Sequence, residues 1–357
     1  MRQQDRISHS TPVLASLDLG YGNAKAVWMP SDADGHYRNV VMPVGAAHAH
    51  QGLKLLGSSG VSVSGGELVT VDGEEWVAGV DPLELQRFAR PTHENYTLTN
   101  EYLALFYAVL AKIGARRIHR LVTGLPVAQI YGHQANPPLA ERLAKRLRGA
   151  HSISPDFVVT VDEVVVVPQP AGAFRAQLDI DRKFASDPLA LTMVVDVGYF
   201  SSDWAILRGV KIDDGQSGSS TEATSRVLER ARALIHQDYP DVELGDARIE
   251  SAFRKGQETI RAGRHEVAIQ PYITRAAHKV CLDVVNAIQR KRRGSDESID
   301  TILVTGGGGS LIAPFLKTSF PSADVVLSDQ SVLANATGFC LMARDGHRAA
   351  MKQQLTA

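Results

Sequence analysis

Only two cysteines, Cys281 and Cys340, occur in 357 residues, and they form no CxxC pair. A disulfide framework is thereby excluded, and a reducing compartment fits. An excess of charge of one sign is missing too. The 38 Lys and Arg against 39 Asp and Glu give a formal net charge of −1, so the whole chain has no electrostatic pull toward nucleic acid or membrane. No apolar run reaches the length of a membrane span. The first ten residues lack the apolar core of a secretion signal, and neither terminus reads as a clear amphipathic anchor helix. The expectation is a soluble, cytoplasmic protein with no membrane partner. No Gly-Lys dipeptide exists in the chain, which excludes a P-loop.

What the chain does contain is one stretch used twice. Leu14-Ala-Ser-Leu-Asp18-Leu-Gly20-Tyr21-Gly22-Asn23-Ala-Lys25-Ala-Val-Trp28 returns in altered form as Met193-Val-Val-Asp196-Val-Gly198-Tyr199-Phe200-Ser201-Ser202-Asp203-Trp204-Ala-Ile-Leu207. Each copy runs as an apolar strand, an acid, one apolar residue, Gly, Tyr, a polar turn and a second strand, the pattern of a hairpin. With 44% hydrophobic and 22% charged residues, near the globular average, a chain of this length suits two domains better than one core. Two acid-tipped hairpins in two halves predict a duplicated domain with a cleft between the copies.

Between the hairpins, strand and helix patterns alternate, which favours mixed α/β sheets covered by helices. The segment Gly45 to Gly66, rich in Gly, Ser and His, reads as a surface loop, with His48 and His50 lacking ligand geometry. Leu68 to Val77 reads as a hairpin turning at Asp72-Gly73. Asn100 to Ile113 is an apolar-periodic helix with Asn100 as N-cap and Gly114 as stop. A strand over Ile118 to Thr123, a helix over Leu139 to Arg148 stopped by Gly149, and strands over Asp156 to Val161 and Val164 to Val167 follow. Another helix begins near Gln169. Past the second hairpin come a short strand over Lys211 to Gly215 and helices over Ser219 to Gln237, Asp246 to Arg254 and Pro271 to Lys291. A strand then runs into Gly306-Gly307-Gly308-Gly309-Ser310, ahead of a last strand (Asp324 to Leu327) and a last helix (Ser331 to Arg344, capped by Ser331). Arg290 to Arg293 reads as a solvated helix end rather than a DNA contact. Cys281 and Cys340 read as buried packing residues.

Glycines after a buried strand let something approach the backbone closely, and phosphate is the common case. A dinucleotide fingerprint needs glycines that open a helix, whereas Gly20-Tyr21-Gly22-Asn23-Ala-Lys25 leads into a β-like segment. The remaining reading is a hairpin turn whose amides and small polar side chains hold phosphate, used twice. Asp18 and Asp196 would then face one polyphosphate, and two carboxylates a few Å apart repel by about 1 kcal/mol in water and about 4 at an effective dielectric near 20. A cation between them relieves this, and oxygen ligands with phosphate imply Mg²⁺ held mostly through its waters. Each acid taken alone is also compatible with an ordinary turn-forming Asp at a strand end. Gly306 to Gly309, after a strand and before the helix that Ser310 opens, suits an α-phosphate and a base or ribose lying on bare backbone.

These three motifs, Asp18-Leu-Gly20, Asp196-Val-Gly198-Tyr199-Phe200-Ser201-Ser202-Asp203 and Val304-Thr305-Gly306-Gly307-Gly308, resemble the two phosphate motifs and the adenosine motif of the actin/heat-shock chaperone/sugar kinase superfamily. Pro168-Gln169-Pro-Ala-Gly-Ala and Ala334-Asn335-Ala336-Thr-Gly338-Phe resemble its two connecting helices. Within it, the chain looks closest to plasmid-segregating actin-like ATPases of the ParM/StbA type. The resemblance implies an α/β actin-like fold, two related domains with ribonuclease H-like mixed sheets flanked by helices around a nucleotide cleft. Residues 1–170 would form domain I and 171–357 domain II, with the last helix, about 331–345, packing back on domain I. It implies ATP and Mg²⁺ as cofactors, filament assembly on ATP binding, hydrolysis that destabilises the polymer, and a DNA-binding adaptor at a plasmid centromere without direct sequence-specific DNA contact.

The resemblance also assigns roles. Asp18 and Asp196 organise the Mg²⁺-bound phosphates; Lys25 and the turns (Gly20, Tyr21, Gly22, Asn23; Gly198, Tyr199, Ser201, Ser202) hold phosphate oxygens; Gly306, Gly307, Gly308 and Ser310 hold the nucleoside side. Gln169 falls where the family places the group that orients the attacking water, a role an amide can fill by hydrogen bonding. Tyr199-Phe200 makes the second turn bulkier than is common there. A small-molecule phosphotransferase on the same fold is the alternative. It needs an acceptor pocket and a carboxylate base, and Asp203 belongs instead to the phosphate hairpin.

Overall fold

A computed structural model describes residues 11–31, 36–52, 65–86, 93, 95–132 and 136–356. The chain forms two compact units, one of Met1–Arg182 with Leu333–Ala357, the other of Lys183–Val332. The expected frayed start (1–11) lies outside the described residues except for Thr11, as does 53–64 of the expected loop.

The first unit opens with β1 (Val13–Leu19) and β2 (Asn23–Pro30), then β3 (Arg38–Pro43) and β4 (Gly45–His48). The hairpin β5 (Glu67–Val71) and β6 (Glu74–Val80) turns at Asp72 and Gly73, both with positive φ (52° and 82°), as a two-residue type I′ turn requires. Helix α1 (Asn100–Ile113), β7 (Arg117–Leu125), α2 (Val127–Tyr131), α3 (Leu139–Leu147), β8 (Gly149–Ser154), β9 (Phe157–Val161), β10 (Val164–Pro168) and α4 (Gln169–Ile180) follow. The main sheet has the order β3-β2-β1-β7-β9-β8, with β10 also beside β7, while β4-β6-β5 forms a second, smaller sheet.

β1 is buried along its whole length, and its alternate residues divide between two helices, as a period of two dictates. Val13, Ala15, Leu17 and Leu19 pack in the cluster that holds Tyr102, Leu105 and Phe106 of α1. Leu14, with Val27, Met29 and Val122, packs against Phe339, Cys340 and Ala343 of α9 (Ala334–Thr356). Helices α4 and α9 cross so closely that a Cβ at Gly338 would lie 1.7 Å from the Gly172 carbonyl oxygen. Asn335 Oδ1 also accepts from Ala173 N–H at 3.1 Å. This crossing is why the boundary falls at 182/183 and not at 170/171, with α4 in the first unit.

The second unit contains β11 (Leu191–Val197), β12 (Ser202–Arg208), β13 (Lys211–Ser220), α5 (Thr224–Asp238), α6 (Asp246–Arg254), β14 (Thr259–Ala262), β15 (His265–Ala268), α7 (Gln270–Lys291), β16 (Thr301–Thr305), α8 (Gly309–Ser319) and β17 (Asp324–Leu327). Its sheet has the order β13-β12-β11-β16-β17, with β14-β15 as a separate hairpin. In both units an antiparallel hairpin continues into parallel strands, β1 with β7 and β11 with β16.

Several local expectations are corrected. Thr99, not Asn100, caps α1, its hydroxyl accepting from Tyr102 N–H at 3.3 Å. Asn100 instead donates to Asp72 and accepts from Arg146. Gly149 begins β8, a strand too polar to be legible as one. Ser219 and Ser220 extend β13, so α5 starts at Thr224. Helix α9 starts at Ala334, three residues after Ser331, and runs past Arg344. His48 belongs to β4, its ring 4.2 Å from that of Trp76 and its Nδ1 3.2 Å from Glu74. Cys281 and Cys340 are buried, and burial pushes both thiols up to about 12. Among the described residues no helix is long and apolar enough to cross a membrane.

Candidate functional site

In the first unit the candidate residues collect at the C-terminal ends of parallel strands. Leu17 and Val166 both lie abreast of Thr123, so the ends of β1, β7 and β10 are level. Asp18 and the start of α4 at Gln169 therefore share one sheet edge, two strand spacings or about 10 Å apart. Gly124 occupies the middle strand end between them. A Cβ there would meet Gln169 Cγ at 2.9 Å and Phe339 at 2.5 Å, so only glycine lets the Gln169 side chain cross that point.

Asp18 is 3% exposed and bonded by Lys25 Nζ at 2.6 Å. The two face each other across the β1–β2 ladder, which places the cation where it neutralises a carboxylate that burial would otherwise penalise. Lys25, expected against phosphate, bonds Asp18 across the rung. The turn closes by Gly20 N–H donating to the Asn23 carbonyl at 3.2 Å. Tyr21 leans away from the strands, its hydroxyl donating to the His93 carbonyl at 2.9 Å and its ring 4.7 Å from that of Tyr96. Beneath lies Tyr102, whose phenol is pushed to high pKa by burial, with the Asp18 charge adding in the same direction.

The second unit repeats the turn with a different support. Gly198 N–H donates to the Ser201 carbonyl at 2.9 Å, and the carbonyls of Gly198 and Tyr199 accept from Thr224 and Ser225 N–H, the first turn of α5. Tyr199 packs against the α5–α7 core. Ser202 is fully buried and its hydroxyl donates to the Glu222 carbonyl at 2.7 Å. Ser201 Oγ donates to Asp203 at 2.6 Å, and Ser219 Oγ bonds the same carboxylate. Ser219 had no signal in the sequence.

Asp196 is 6% exposed at the end of β11, level with Thr305 on β16. Gly306, next along, has φ +84°, and a Cβ there would lie 2.4 Å from Asp196 Oδ1. Its N–H donates to the Ser331 carbonyl, as does Thr305 Oγ1, and Gly308 N–H donates to the Val197 carbonyl. A Cβ at Gly308 would strike Val197 at 2.5 Å. The amides of Gly306 and Gly308, expected bare, are thus committed to the fold. Gly307 is different: exposed, with nothing within 4 Å of a Cβ and an ordinary φ. Gly20 in the first unit is likewise uncrowded, its nearest neighbour the Asn23 carbonyl at 3.9 Å. Gly20 and Gly307 are glycines at the site that the chain's own packing does not require.

Among the described residues no three His, Cys, Asp or Glu come together as a metal cage. A hard cation here would be held by a carboxylate, waters and phosphate oxygens, which is how Mg²⁺ usually binds. The buried carboxylates at the tips of β1 and β11 fit that role.

Two family models match in tandem: the actin like proteins N terminal domain over residues 16–172, and the archaeal actin homologue MreB-like C-terminal domain over 194–318. A search of the curated proteins finds no match. Among solved structures, the archaeal actin homologue Ta0583 in complex with ADP is similar over 93% of this chain and 99% of its own, with TM-score 0.70 and 16% identity. A 15-stranded ParM filament from Clostridium botulinum is similar over 94% of this chain and 99% of that chain, with TM-score 0.71 and 17% identity. The actin-like protein Alp7A is similar over 96% and 98%, with TM-score 0.68 and 14% identity. Two acid-tipped hairpins, a strand-glycine loop and a tandem match across most of the chain lead to one conclusion: this chain belongs to the actin-like proteins and has their α/β fold.

Proposed function

We propose that this chain is an ATPase of the ParM type that assembles into filaments on binding ATP and Mg²⁺, loses them on hydrolysis, and moves plasmid DNA in the cytoplasm through a DNA-binding adaptor. The observation that carries the reading is the sorting of the glycines. Gly306 and Gly308 are demanded by contacts to Asp196 and Val197, whereas Gly307 stands against open space and a Cβ at Gly20 would meet only the Asn23 carbonyl, at an ordinary 3.9 Å. Backbone left bare without a packing reason suits a ligand that approaches it closely. The similarity to an ADP complex and to a ParM filament supports the same reading.

In this proposal Asp18 and Asp196 hold Mg²⁺, mostly through its waters, and the ion supplies neutralisation of the phosphate charge. The turn residues Tyr21, Gly22, Asn23 and Lys25, with Gly198, Tyr199, Ser201 and Ser202, line the phosphates, chiefly through backbone where side chains are engaged. Gly307, Gly308 and Ser310 support the nucleoside. Gln169 orients water, so Gln169→Ala is expected to slow hydrolysis by about 100-fold while nucleotide affinity stays near wild type. Loss of affinity in that variant would contradict the role.

Light scattering of the purified protein with ATP and then ADP tests the whole reading. Growth with ATP that decays with ADP is expected. No growth at any concentration, together with phosphate transfer to a small acceptor, would favour the phosphotransferase.

A further inference from the structure

Phe339 is the largest side chain of the cluster that α9 buries against the main sheet, and it is fully buried. Two glycines make room for it. A Cβ at Gly124, near the end of β7, would lie 2.5 Å from Phe339 Cζ, and a Cβ at Gly172 on α4 would lie 2.6 Å from Phe339 Cε1. Neither glycine has a positive φ, so contact with the ring, and not backbone freedom, requires glycine at both. The ring thus fills a slot between the tip of β7 and the first turn of α4.

That slot adjoins the candidate site. Alternate residues of a strand share a face, so Gly124 continues the row of Val122 and Asp18 continues the row of Leu14, and both rows face α9. Leu17 is abreast of Thr123 and Val167 abreast of Gly124, which sets Asp18, Gly124 and Val167 level with one another. Two residues beyond Val167 comes Gln169, whose Cγ would lie 2.9 Å from the same Cβ at Gly124. The Phe339 ring edge and the Gln169 methylenes therefore stand side by side over Gly124. The same face of α9 holds α4 a second time: Asn335, one turn before Phe339, accepts from Ala173 N–H at 3.1 Å.

We infer that Phe339 is a positioning residue for Gln169: its ring is the wall that fixes the side chain used to orient water. The inference rests on the role proposed for Gln169 above, and Phe339 acts through that residue without touching the reacting atoms. An amide that holds a water for attack tolerates little drift, since a displacement of about 1 Å can cost about 100-fold in rate. A smaller side chain at 339 leaves a void beside the Gln169 methylenes and frees them to take other rotamers.

The test is a double-mutant cycle on single-turnover ATP hydrolysis at saturating ATP, with affinity for a fluorescent ATP analogue measured alongside. Phe339→Leu should slow hydrolysis by about tenfold and leave affinity within about twofold of wild type. In a Gln169→Ala chain the same change should slow hydrolysis no further, because the side chain it positions is gone. Phe339→Met, whose flexible chain fills more of the slot, should recover part of the rate, and it carries the same cycle should Phe339→Leu fail to fold. Cys340→Ala is the control for lost packing: Cys340 is the next residue on α9, buried in the same cluster, and its loss should lower stability while hydrolysis stays at the wild-type rate. A wild-type rate in Phe339→Leu, equal slowing with and without Gln169, or equal slowing by Cys340→Ala would overturn the assignment of Phe339 alone. Wild-type protein that does not hydrolyse ATP, or Gln169→Ala as fast as wild type, would overturn the role of Gln169 with it.

Discussion

The two acid-tipped turns differ at one rung. Opposite Asp18 stands Lys25, and opposite Asp196 stands Asp203. The first turn carries its own counter-charge. The second places two carboxylates on one rung, an arrangement that is unfavourable by itself, and Asp203 is offset by the hydroxyls of Ser201 and Ser219. In the first turn a cation is built into the rung; in the second, hydroxyl donors stand beside the acid on β12. The same turn thus sets one acid opposite a lysine and the other opposite a second acid.

The sharpest break of this comparison is in activity. Asp196→Ala should lower ATP hydrolysis by about 100-fold or more, the scale of losing preorganised electrostatic stabilisation, with folding intact by circular dichroism. Next comes stability. Lys25→Met leaves Asp18 buried without its cation and should cost about 3 kcal/mol in denaturant unfolding, and adding Asp18→Asn should restore most of it. The corresponding change in the second turn, Asp203→Asn, should cost less than Lys25→Met.

The glycines sharpen the contrast further. Gly306→Ala should destabilise by about 1–3 kcal/mol, since it adds a Cβ at positive φ against Asp196. Gly20→Ala and Gly307→Ala should leave stability within about 0.5 kcal/mol and lower nucleotide affinity about tenfold by calorimetry. Equal affinity in both would remove the support for backbone approach. The smallest effect is acid sensitivity, outside both turns. Burial lowers the pKa of His151 below 6.5, partly opposed by its bond to the Leu147 carbonyl, and burial with the neighbouring His119 and Arg120 lowers that of His347. Each contribution is fully present above pH 6.5 and is lost as pH falls from there through the lowered folded value. Unfolding free energy should therefore decline below about pH 6.5, and His151→Gln should remove up to about 1.4 kcal/mol per pH unit of that slope.

Much of this was legible in the chain. Both hairpins, the Asp72-Gly73 turn, the Gly114 stop and the strand leading to Gly306 are written in local pattern, and the motifs led to the fold. Missed features share a physical character. The sequence pattern starts α5 five residues too early because Ser219 and Ser220, good turn and cap residues, are held in β13 by a ladder to β12. Ser331 resembles a cap, but its carbonyl is taken by Gly306 and Thr305 from a distant strand. The amides of Gly306 and Gly308 look bare in one dimension and are spent on Ser331 and Val197 in three.

Local alternation, turn chemistry and the repeated acid-x-Gly-Tyr unit determined by themselves where strands bend and which residues tip them, because those preferences act over a few residues. Which carboxylate meets a lysine, which glycines the packing demands, and the membership of α4 and α9 in the first unit were decided only by tertiary structure. Those outcomes depend on strand register and on helices far apart in the chain packing so closely at Gly172 and Gly338 that no Cβ fits between them, and no local preference encodes such a meeting.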